Sequence, residues 1–529
     1  MAGLEKIQKY LLPAVLVAWC AVLLAQKIDL PQADIGRHIK NGEIILHGSW
    51  VDKRAVLQTN FYSYTQTQHE FVNHHWLSGV IFYLIFQIFG FVGLSIFYIV
   101  LVSAAFYIFF RLAQKQAGSS VAAILAVLAL PIIASRTEVR PEGFTYLLTA
   151  VFFWLLWNWQ QPLPNPPLAR GGNIIWLLPL TMLFWVNLHI GFIYGFIVLG
   201  AFWFRELAQY FLTKQKGNLY FLTGIILFCG AAGLINPFFL KGFLYPLNIF
   251  QEYGYLIVEN QSVMFLHRLG LGSGLYFGLF KLLLGLSLAS FVVRFVFEKN
   301  KRNFPFQNFL FLGSVGLVAL LQIRNFPLFG LLFLPIVAAN FRAVLPPIRH
   351  PAYRLIPALI ALVVLAGGSF RFWESYEYKR ASFGLGLMPQ VEAAGEFFKS
   401  EKISGPIFNN YDIGGYLIFS LFPKEKVFTD NRPEAYSISH FQTDYIPAQQ
   451  DSLKWKDLDN KYNFNSIFFS MRDLTPWGQA FLISKVQDTE WAPVYTDAYS
   501  IIFLKRNTQN ARVISKYLIP PENFQIIPN

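Results

Sequence analysis

The feature that most constrains this chain is a series of about eleven apolar runs, each close to the length that crosses a membrane as a helix. Only 14% of the 529 residues are charged, against roughly 25% in ordinary soluble proteins, so lipid must surround most of the chain. The runs lie near 10–28, 91–111, 120–135, 143–160, 173–189, 191–212, 219–236, 272–297, 306–323, 325–341 and 353–370.

The basic residues indicate how these runs are oriented, because cytoplasmic loops carry the excess of Lys and Arg. With the N-terminus inside, the inner loops hold most of the basic residues and the outer loops usually hold one each. This bias predicts a multi-pass plasma-membrane protein with a cytoplasmic N-terminus and an outer C-terminal region. The stretch 76–89 is apolar but short, and we interpret it as an interfacial helix; if it crossed the membrane, the topology downstream would invert.

The remaining global features exclude several functions. The net charge of +13 does not indicate nucleic-acid binding, because the basic residues lie in short loops between apolar runs. Cys20 and Cys229 fall within apolar runs and offer neither a disulfide framework nor a metal-ligand spacing. The sequence contains no Walker loop, no G-x-G-x-x-G after a strand and no H-E-x-x-H, so ATP-driven transport and zinc proteolysis have no support.

The composition changes near residue 371, where charged residues become frequent and no run reaches spanning length. Alternating helical and strand-like patterns predict a small α/β domain on the outer face. We therefore expect a transmembrane domain over 1–370, with a first outer loop at 29–77, and an extracytoplasmic α/β domain over 371–529. Helices are predicted at 388–402 and 414–422, and strands at 406–409, 426–429, 466–470, 492–496 and 500–504.

The first outer loop gathers acids and histidines that a membrane protein does not need for packing alone. They are Asp34, His38, Glu43, Asp52, Glu70, His74 and His75. No spacing among them is specific for a metal, so we assign no metal ligand, and a divalent cation is the one cofactor that this loop admits. The pattern predicts a site at the membrane surface.

Polar side chains also recur at the predicted outer ends of the spans, where each is costly unless it faces protein, water or substrate. A planar guanidinium can form two charge-assisted hydrogen bonds with a phosphate, and a carboxylate can accept the proton of an attacking hydroxyl. These residues fit a lipid whose phosphate head lies at the membrane boundary. The candidates for substrate binding in the spans are Arg136, Arg140, Glu142, Asn187, His189, Asn236 and Arg324.

Several segments of the chain form a recognisable set. They are D-I-G-R-H-I-K-N-G-E-I, N-H-H-W-L, R-P-E-G-F, W-V-N-L-H-I-G-F, I-N-P-F, G-G-Y-L-I-F and K-V-F-T-D-N-R-P-E-A-Y. Together with the early aspartate in a large outer loop, the many spans and the outer C-terminal domain, they resemble the GT-C superfamily of membrane glycosyltransferases, and in particular a bacterial branch related to the polyprenyl-phosphate-sugar transferases.

The resemblance implies an inverting enzyme that transfers a sugar from a polyprenyl-phosphate sugar donor to an outer-face acceptor, which is a glycan, a lipid or a protein. It places the acidic residue that serves as base, or holds the acceptor, at Asp34. The acidic pair and the later H-P-P segment that better-known branches often carry are absent from this sequence. The acceptor side of the site is where this chain departs from them.

The catalytic candidates in the first outer loop are Asp34, His38 and Asp52, and each has a structural alternative. Asp34 could pair with Arg37 or cap the helix that begins near residue 35, since aspartate is a favoured N-cap. His38 lies one helical turn from Asp34, and packing at an interface is its alternative. Asp52 is followed directly by two basic residues, Lys53 and Arg54, with which it could pair.

The substrate-binding candidates have alternatives as well. His74 and His75 precede Trp76, which is typical of an interface anchor, and two adjacent histidines cannot easily present both rings to one ion. Arg140 opens a helix whose N-terminus would favour a phosphate, or it forms a salt bridge with Glu138 or Glu142. In the outer domain, a turn before a helix contains Asn410, Tyr411, Asp412, Gly414 and Gly415, and a strand is followed by Asp430, Asn431, Arg432 and Glu434. These residues either recognise the acceptor or tie the domain to the membrane core.

Two other classes of function compete with the enzyme. A lipid or glycan transporter would also line a cavity with polar residues, but more often shows inverted halves with broken helices in matching positions, and no such symmetry is visible in this sequence. A non-catalytic membrane assembly protein would use the outer domain for partners and would not need arginines within the membrane.

Overall fold

The computed structural model describes residues 10–160, 174–214, 217–249, 253–271, 274–298, 304–344, 383–473 and 475–524. They divide into two compact units. The first unit takes in the described residues within 1–26, 95–243 and 257–385, and the second those within 27–94, 244–256 and 386–529. The first outer loop therefore belongs to the same unit as the C-terminal region. The predicted domain boundary near 370 and the predicted span 353–370 lie outside the described residues.

Most of the chain is helical, and a short sheet lies near the C-terminus. The main helices are α1 (Leu12–Leu24), α2 (Ile35–His47), α3 (Trp50–Gln58), α4 (Trp76–Ile133), α5 (Glu142–Gln160), α6 (Leu177–Leu188), α7 (Ile193–Thr213), α8 (Leu219–Gly233), α9 (Phe239–Asn248), α10 (Val263–Arg268), α11 (Gly274–Phe297), α12 (Phe306–Leu321), α13 (Phe326–Val344), α14 (Ala393–Ser400), α15 (Gly414–Leu421), α16 (Ile446–Gln450), α17 (Ser452–Tyr462), α18 (Pro476–Val486) and α19 (Ala511–Tyr517). The strands are β1 (Ile407–Asn409), β2 (Ser466–Ser470), β3 (Trp491–Thr496) and β4 (Ser500–Lys505).

The first unit is built from apolar helices, because only a helix satisfies the backbone polar groups of an apolar run within lipid. Helix α13 is mostly buried and packs against α11, α12 and α5. The outward side chains of its neighbours are large, apolar and exposed, for example Leu282, Val292 and Leu317. A buried central helix with exposed apolar side chains around it is the arrangement expected for a bundle in lipid.

Four helical segments of the described chain are long and apolar enough to cross a membrane. Apolar helices such as α6 and α8, with 12 and 15 residues, are shorter. At 1.5 Å per residue they fall short of the roughly 30 Å of a hydrocarbon core. Every predicted run from 10–28 to 325–341 overlaps a helix, but the number of about eleven spans stays a prediction. The four long segments are Trp76–Ile133, Ile190–Thr213, Gly274–Phe297 and Ile323–Val344.

Helix α4 contains two predicted runs and the short stretch 76–89 in one element of 58 residues. A straight helix of that length would extend roughly 87 Å, far more than a bilayer is thick. Its backbone turns left-handed at Gly90 (φ +59°) and Gly118 (φ +82°), a conformation that glycine adopts without steric cost. These two glycines lie next to the predicted starts of the runs at 91 and 120, so the segments are separated there.

The sheet has the strand order β1-β2-β4-β3, with β1 parallel to β2 and the other pairs antiparallel. Four of the five predicted strands form it. The fifth, at 426–429, was wrong: Val427 makes only an isolated bridge with Ser63 of the first outer loop. The side chain of Asn409 accepts from the backbone N–H of Phe428 (2.9 Å) and donates to the carbonyl oxygen of Thr429 (2.8 Å). These two hydrogen bonds take the place of a ladder between neighbouring strands.

A buried ion pair lies at the centre of the second unit. The Arg432 guanidinium donates to both carboxylate oxygens of Asp430 at 2.7 Å, and both side chains are almost completely buried. Arg432 also donates to Asn60 (2.8 Å) and lies over the rings of Tyr62 and Phe71, all from the first outer loop. Burial is tolerated because nearly every polar atom of the pair has a partner.

We expect Arg432→Gln to lower the free energy of unfolding by about 3–5 kcal/mol, because it leaves a buried Asp430 without its ionic partner. Thermal unfolding of the full chain in detergent measures this. The control is Lys461→Gln, whose pair with Asp444 is exposed and should be worth less than about 1 kcal/mol. An effect at Arg432 no larger than the effect at Lys461 would contradict a structural role for the pair.

Candidate functional site

The position of Asp34 results from close packing between α2 and α15. A Cβ atom added at Gly36 would lie 2.9 Å from the Cβ of Phe419 and 3.1 Å from the carbonyl oxygen of Gly415. Glycine at this position therefore lets the two helices approach closely, as a larger residue could not. The approach brings the start of α2, where Asp34 lies, to the segment that follows residue 429.

An amide bridges the two charged residues at the start of α2. Asn431 donates through its Nδ2 to the Asp34 carboxylate, and its Oδ1 accepts from the Arg37 Nε at 3.2 Å. Asp34 is half-buried and precedes α2 without making a side-chain capping hydrogen bond. The hydrogen bond from Asn431 orients one carboxylate oxygen of Asp34, and the side chain stays partly accessible to solvent.

We group two further polar residues of the second unit, Glu434 and Tyr411, with Asp34. Glu434 is buried on a short turn of helix, and burial raises the pKa of its carboxyl to about 7, despite Arg37 and Arg432 nearby. The Tyr411 hydroxyl is buried, and its pKa is raised well above its ordinary value by burial and by the carboxyls of Glu434 and Asp34. We call Asp34, Arg37, Tyr411, Asn431 and Glu434 the first-loop cluster.

The predicted histidines lie close to one another. The rings of His38 and His75 are 5.4 Å apart between centroids, and those of His74 and His75 are 3.7 Å apart. His74 also contacts the ring of Tyr245 and places its Nδ1 3.1 Å from the Val72 carbonyl oxygen. The described residues contain no group of three His, Cys, Asp or Glu side chains arranged to hold a metal ion.

Asp52 lies at the beginning of α3, where its contacts are those of a helix N-terminus. The Ser49 hydroxyl accepts from the Asp52 backbone N–H at 3.2 Å and donates to its carboxylate at 2.7 Å. This reciprocal capping explains why an acid occurs at this position. The predicted pairing of Asp52 with Lys53 or Arg54 is not needed to account for it.

The arginines of the first unit form a second cluster. Arg136 contacts Glu259 at 2.6 Å and Glu142 at 3.4 Å, while Arg324 contacts Glu142 at 2.5 Å. Arg140 binds the same Glu259 at 2.8 Å. Burial opposes ionisation of Glu259, but the three arginines hold the pKa of its carboxyl well below its ordinary value. We call these five residues the arginine cluster.

Glu138 completes the charge balance of the arginine cluster from its edge. Its carboxylate accepts from Arg140 Nε at 2.6 Å, and its side chain is 49% exposed, whereas that of Glu259 is 18% exposed. The three arginines thus face two enclosed carboxylates and one at the surface. An anion that replaced Glu138 on Arg140 would preserve the balance.

The other predicted site residues of the first unit form hydrogen bonds with its backbone. Asn187 donates to the carbonyl oxygens of Leu183 (2.8 Å) and Ile235 (2.9 Å), and Asn236 closes the turn before α9. The Nδ1 atom of His189 accepts from the Gly191 N–H at 3.1 Å, so a neutral ring carries its proton on Nε2.

The predicted residues of the outer domain have different surroundings. Asp430 and Arg432 form the buried ion pair, so their contacts fit the structural alternative. Asp412 is half-buried in the turn before α15, within electrostatic range of Tyr411. Glu434 lies in the same short segment as Asp430, which the sequence indicates either for acceptor recognition or for a structural role. Its burial could not be read from the sequence.

No protein-family model and no curated protein sequence matches this chain. Its fold is similar to that of solved membrane proteins. The archaeal oligosaccharyltransferase AglB from Archaeoglobus fulgidus, in complex with an inhibitory peptide and a dolichol-phosphate, has a TM-score of 0.60 and 12% identity over 95% of this chain and 75% of its own. A structure of the A. fulgidus oligosaccharyltransferase with zinc and sulfate has a TM-score of 0.55 and 14% identity, over 93% and 73%.

ArnT from Cupriavidus metallidurans, in the apo state, has a TM-score of 0.51 and 12% identity, over 95% of this chain and 98% of its own. AglB and ArnT are membrane glycosyltransferases of the GT-C superfamily. The predicted GT-C fold is therefore confirmed, at identities that compare the fold and not the individual residues. No cofactor is established for this chain.

The raised pKa of Glu434 predicts a specific pH dependence of stability. The unfolded chain releases this proton near pH 4.5 and the folded chain near pH 7, so the native chain loses up to about 3 kcal/mol as the pH rises between these values. Glu434→Gln should remove that loss: the variant should match the native protein at pH 4 and exceed its stability at pH 8. Melting temperatures across this range measure the difference, and Glu490→Gln, at an exposed position, should follow the native curve.

Proposed function

We propose that this chain is an inverting membrane glycosyltransferase that transfers a sugar from a polyprenyl-phosphate sugar to a hydroxyl on the outer face of the plasma membrane. The observation that carries the proposal is the half-buried Asp34 carboxylate, oriented by Asn431, in a chain with the GT-C fold. The transferase identity of the solved proteins with this fold favours an enzyme over a flippase or an assembly protein.

In the proposed reaction, Asp34 accepts the proton of the acceptor hydroxyl while that oxygen attacks the anomeric carbon of the donor sugar. The bond between this carbon and the phosphate oxygen breaks, and polyprenyl phosphate leaves with the bonding electrons. Attack from the face opposite the phosphate inverts the anomeric centre. Asn431 fixes one oxygen of Asp34 by its hydrogen bond, and Arg37 in turn orients Asn431, so that the base is held in position before the acceptor arrives.

The histidines fit a supporting role in this proposal. His38 is buried one helical turn after Asp34, and its ring contacts His75. We assign His38, His74 and His75 to the positioning of substrate, because their rings pack together and His38 lies on the helix that directly follows the proposed base. Asp52 retains its contacts as a helix cap, so the proposed proton transfer uses Asp34 alone.

The donor phosphate is assigned to the arginine cluster. A guanidinium matches a phosphate through two charge-assisted hydrogen bonds, and one partner of Arg140 is the half-exposed Glu138. A phosphate that displaced Glu138 would gain this contact without leaving Arg140 unpaired. The dolichol-phosphate bound to the archaeal oligosaccharyltransferase supports a lipid phosphate as the donor group.

Asp34→Asn should reduce sugar transfer by on the order of 10²–10⁴-fold while expression and melting temperature stay native, because the amide keeps an acceptor oxygen for Asn431 but is not a base. The measurement is release of polyprenyl phosphate from radiolabelled donor by purified protein in nanodiscs. Asp444→Asn, at a surface carboxylate paired with Lys461, is the control and should retain activity. Native turnover by Asp34→Asn would remove Asp34 as the base.

Arg140→Lys should weaken donor binding by about tenfold, because a two-point contact becomes a point charge. Glu138→Gln should have the opposite effect and strengthen donor binding, because it removes the carboxylate that competes with the phosphate. Equilibrium binding of radiolabelled polyprenyl-phosphate sugar in nanodiscs measures both. If neither variant changes donor affinity, Arg140 serves only its salt bridges with Glu138 and Glu259.

A further inference from the structure

The hydroxyl of Tyr411 is a polar atom that packing does not explain. It is buried and has no hydrogen-bond partner among the residues that the structure describes, and the side chain is only 5% exposed. Buried polar groups in folded proteins are nearly always hydrogen-bonded, since an unpaired one is costly. A phenylalanine would fill this position without that cost, so packing of the core does not explain why this residue carries a hydroxyl.

The ring that carries this hydroxyl is held firmly. It stacks on Tyr255 with centroids 4.3 Å apart, and the backbone N–H of Tyr411 donates to the Tyr445 hydroxyl at 2.8 Å. The hydroxyl therefore cannot turn away to find a partner elsewhere. Rigid support of a polar group that the protein itself leaves unpaired is typical of a binding site.

The surroundings of the hydroxyl are acidic. After burial, the carboxyls of Glu434, Asp34 and Asp412 are among the groups that raise the pKa of Tyr411, so it stays protonated at neutral pH and can donate a hydrogen bond. Glu434 is itself buried, and the described residues place no basic side chain within salt-bridge distance of it. The group as a whole offers one hydroxyl donor and several carboxyl acceptors.

We propose that Tyr411 and Glu434 form, together with Asp34, the binding site for the acceptor, and that the acceptor group is a hydroxyl of an uncharged glycan. The inference rests on the proposed transferase function, which it makes more specific. A sugar hydroxyl can accept from Tyr411 and donate to a carboxylate, so it pairs with both kinds of group.

The local charge favours an uncharged acceptor over a phosphorylated one. Arg37 is the basic side chain that joins this group through Asn431, whereas Asp34, Asp412 and Glu434 are all acidic. The charge of Arg432 is compensated by its buried partner Asp430. A phosphate placed beside these carboxyls would be repelled, because like charges at short distance in a poorly solvated site are costly.

The test is equilibrium binding of radiolabelled maltotriose, an uncharged glycan, to the full chain in nanodiscs without any donor. We expect Tyr411→Phe and Glu434→Gln each to weaken this binding by about tenfold, the effect of one hydrogen bond to a buried group. Maltose 1-phosphate should compete poorly. The matched control is Tyr416→Phe, which removes another buried hydroxyl, one that is bonded to Gly395 (2.7 Å) and Glu392 (3.0 Å).

Stability separates a binding role from a structural one. Tyr411→Phe should leave the melting temperature unchanged or higher, because it removes an unpaired hydroxyl, whereas Tyr416→Phe should lower the melting temperature and bind maltotriose normally. The proposal is overturned if the native protein does not bind maltotriose, if Tyr411→Phe binds it normally, or if maltose 1-phosphate binds better. Because no donor is present, these results are independent of whether the chain transfers a sugar.

Discussion

The buried pair of Asp430 and Arg432 is the interaction on which the second unit depends. It joins a segment late in the chain to Asn60, Tyr62 and Phe71 of the first outer loop, so the loop and the C-terminal region fold as one body. Two charges are stable there because hydrogen bonds and aromatic faces surround them. Removal of one partner would leave the other charge buried, unpaired and poorly solvated. The position of Asp34, far earlier in the chain, follows from this connection.

The same short segment carries both structural and chemical groups. Asp430 and Arg432 pair with each other in the interior, while Asn431 between them reaches Asp34 and Arg37. Glu434 follows on a turn of helix, buried and with a raised pKa. A rigid buried pair therefore fixes the backbone from which the amide and the second carboxyl are presented.

Part of the site could be predicted from the sequence. Asp34 and the histidines attracted attention because acids and histidines are rare near apolar runs, and the structure places His38, His74 and His75 together. For Arg140 the sequence left open a phosphate contact or a salt bridge with Glu138 or Glu142; the structure pairs Arg140 with Glu138 and with Glu259, and Glu142 with Arg136 and Arg324. Tyr411 and Glu434 lie in the two outer-domain segments that the sequence indicated for acceptor recognition or a structural role, but their burial and the unpaired Tyr411 hydroxyl are properties of the fold that leave no mark on the local pattern.

The amino-acid sequence alone was enough to identify a membrane protein with a small α/β region near its C-terminus, since hydropathy and strand patterns are local and survive any arrangement of the elements. Short segments of the sequence also resembled the GT-C superfamily, and the solved structures share the fold of this chain. The tertiary structure was needed to show that the first outer loop belongs with the C-terminal region, that 426–429 pairs with this loop instead of the sheet, and that Arg432 of the buried pair donates to Asn60 of this loop. These outcomes depend on contacts between residues hundreds of positions apart, and no local pattern of charge or hydropathy encodes which distant partner a buried group will meet.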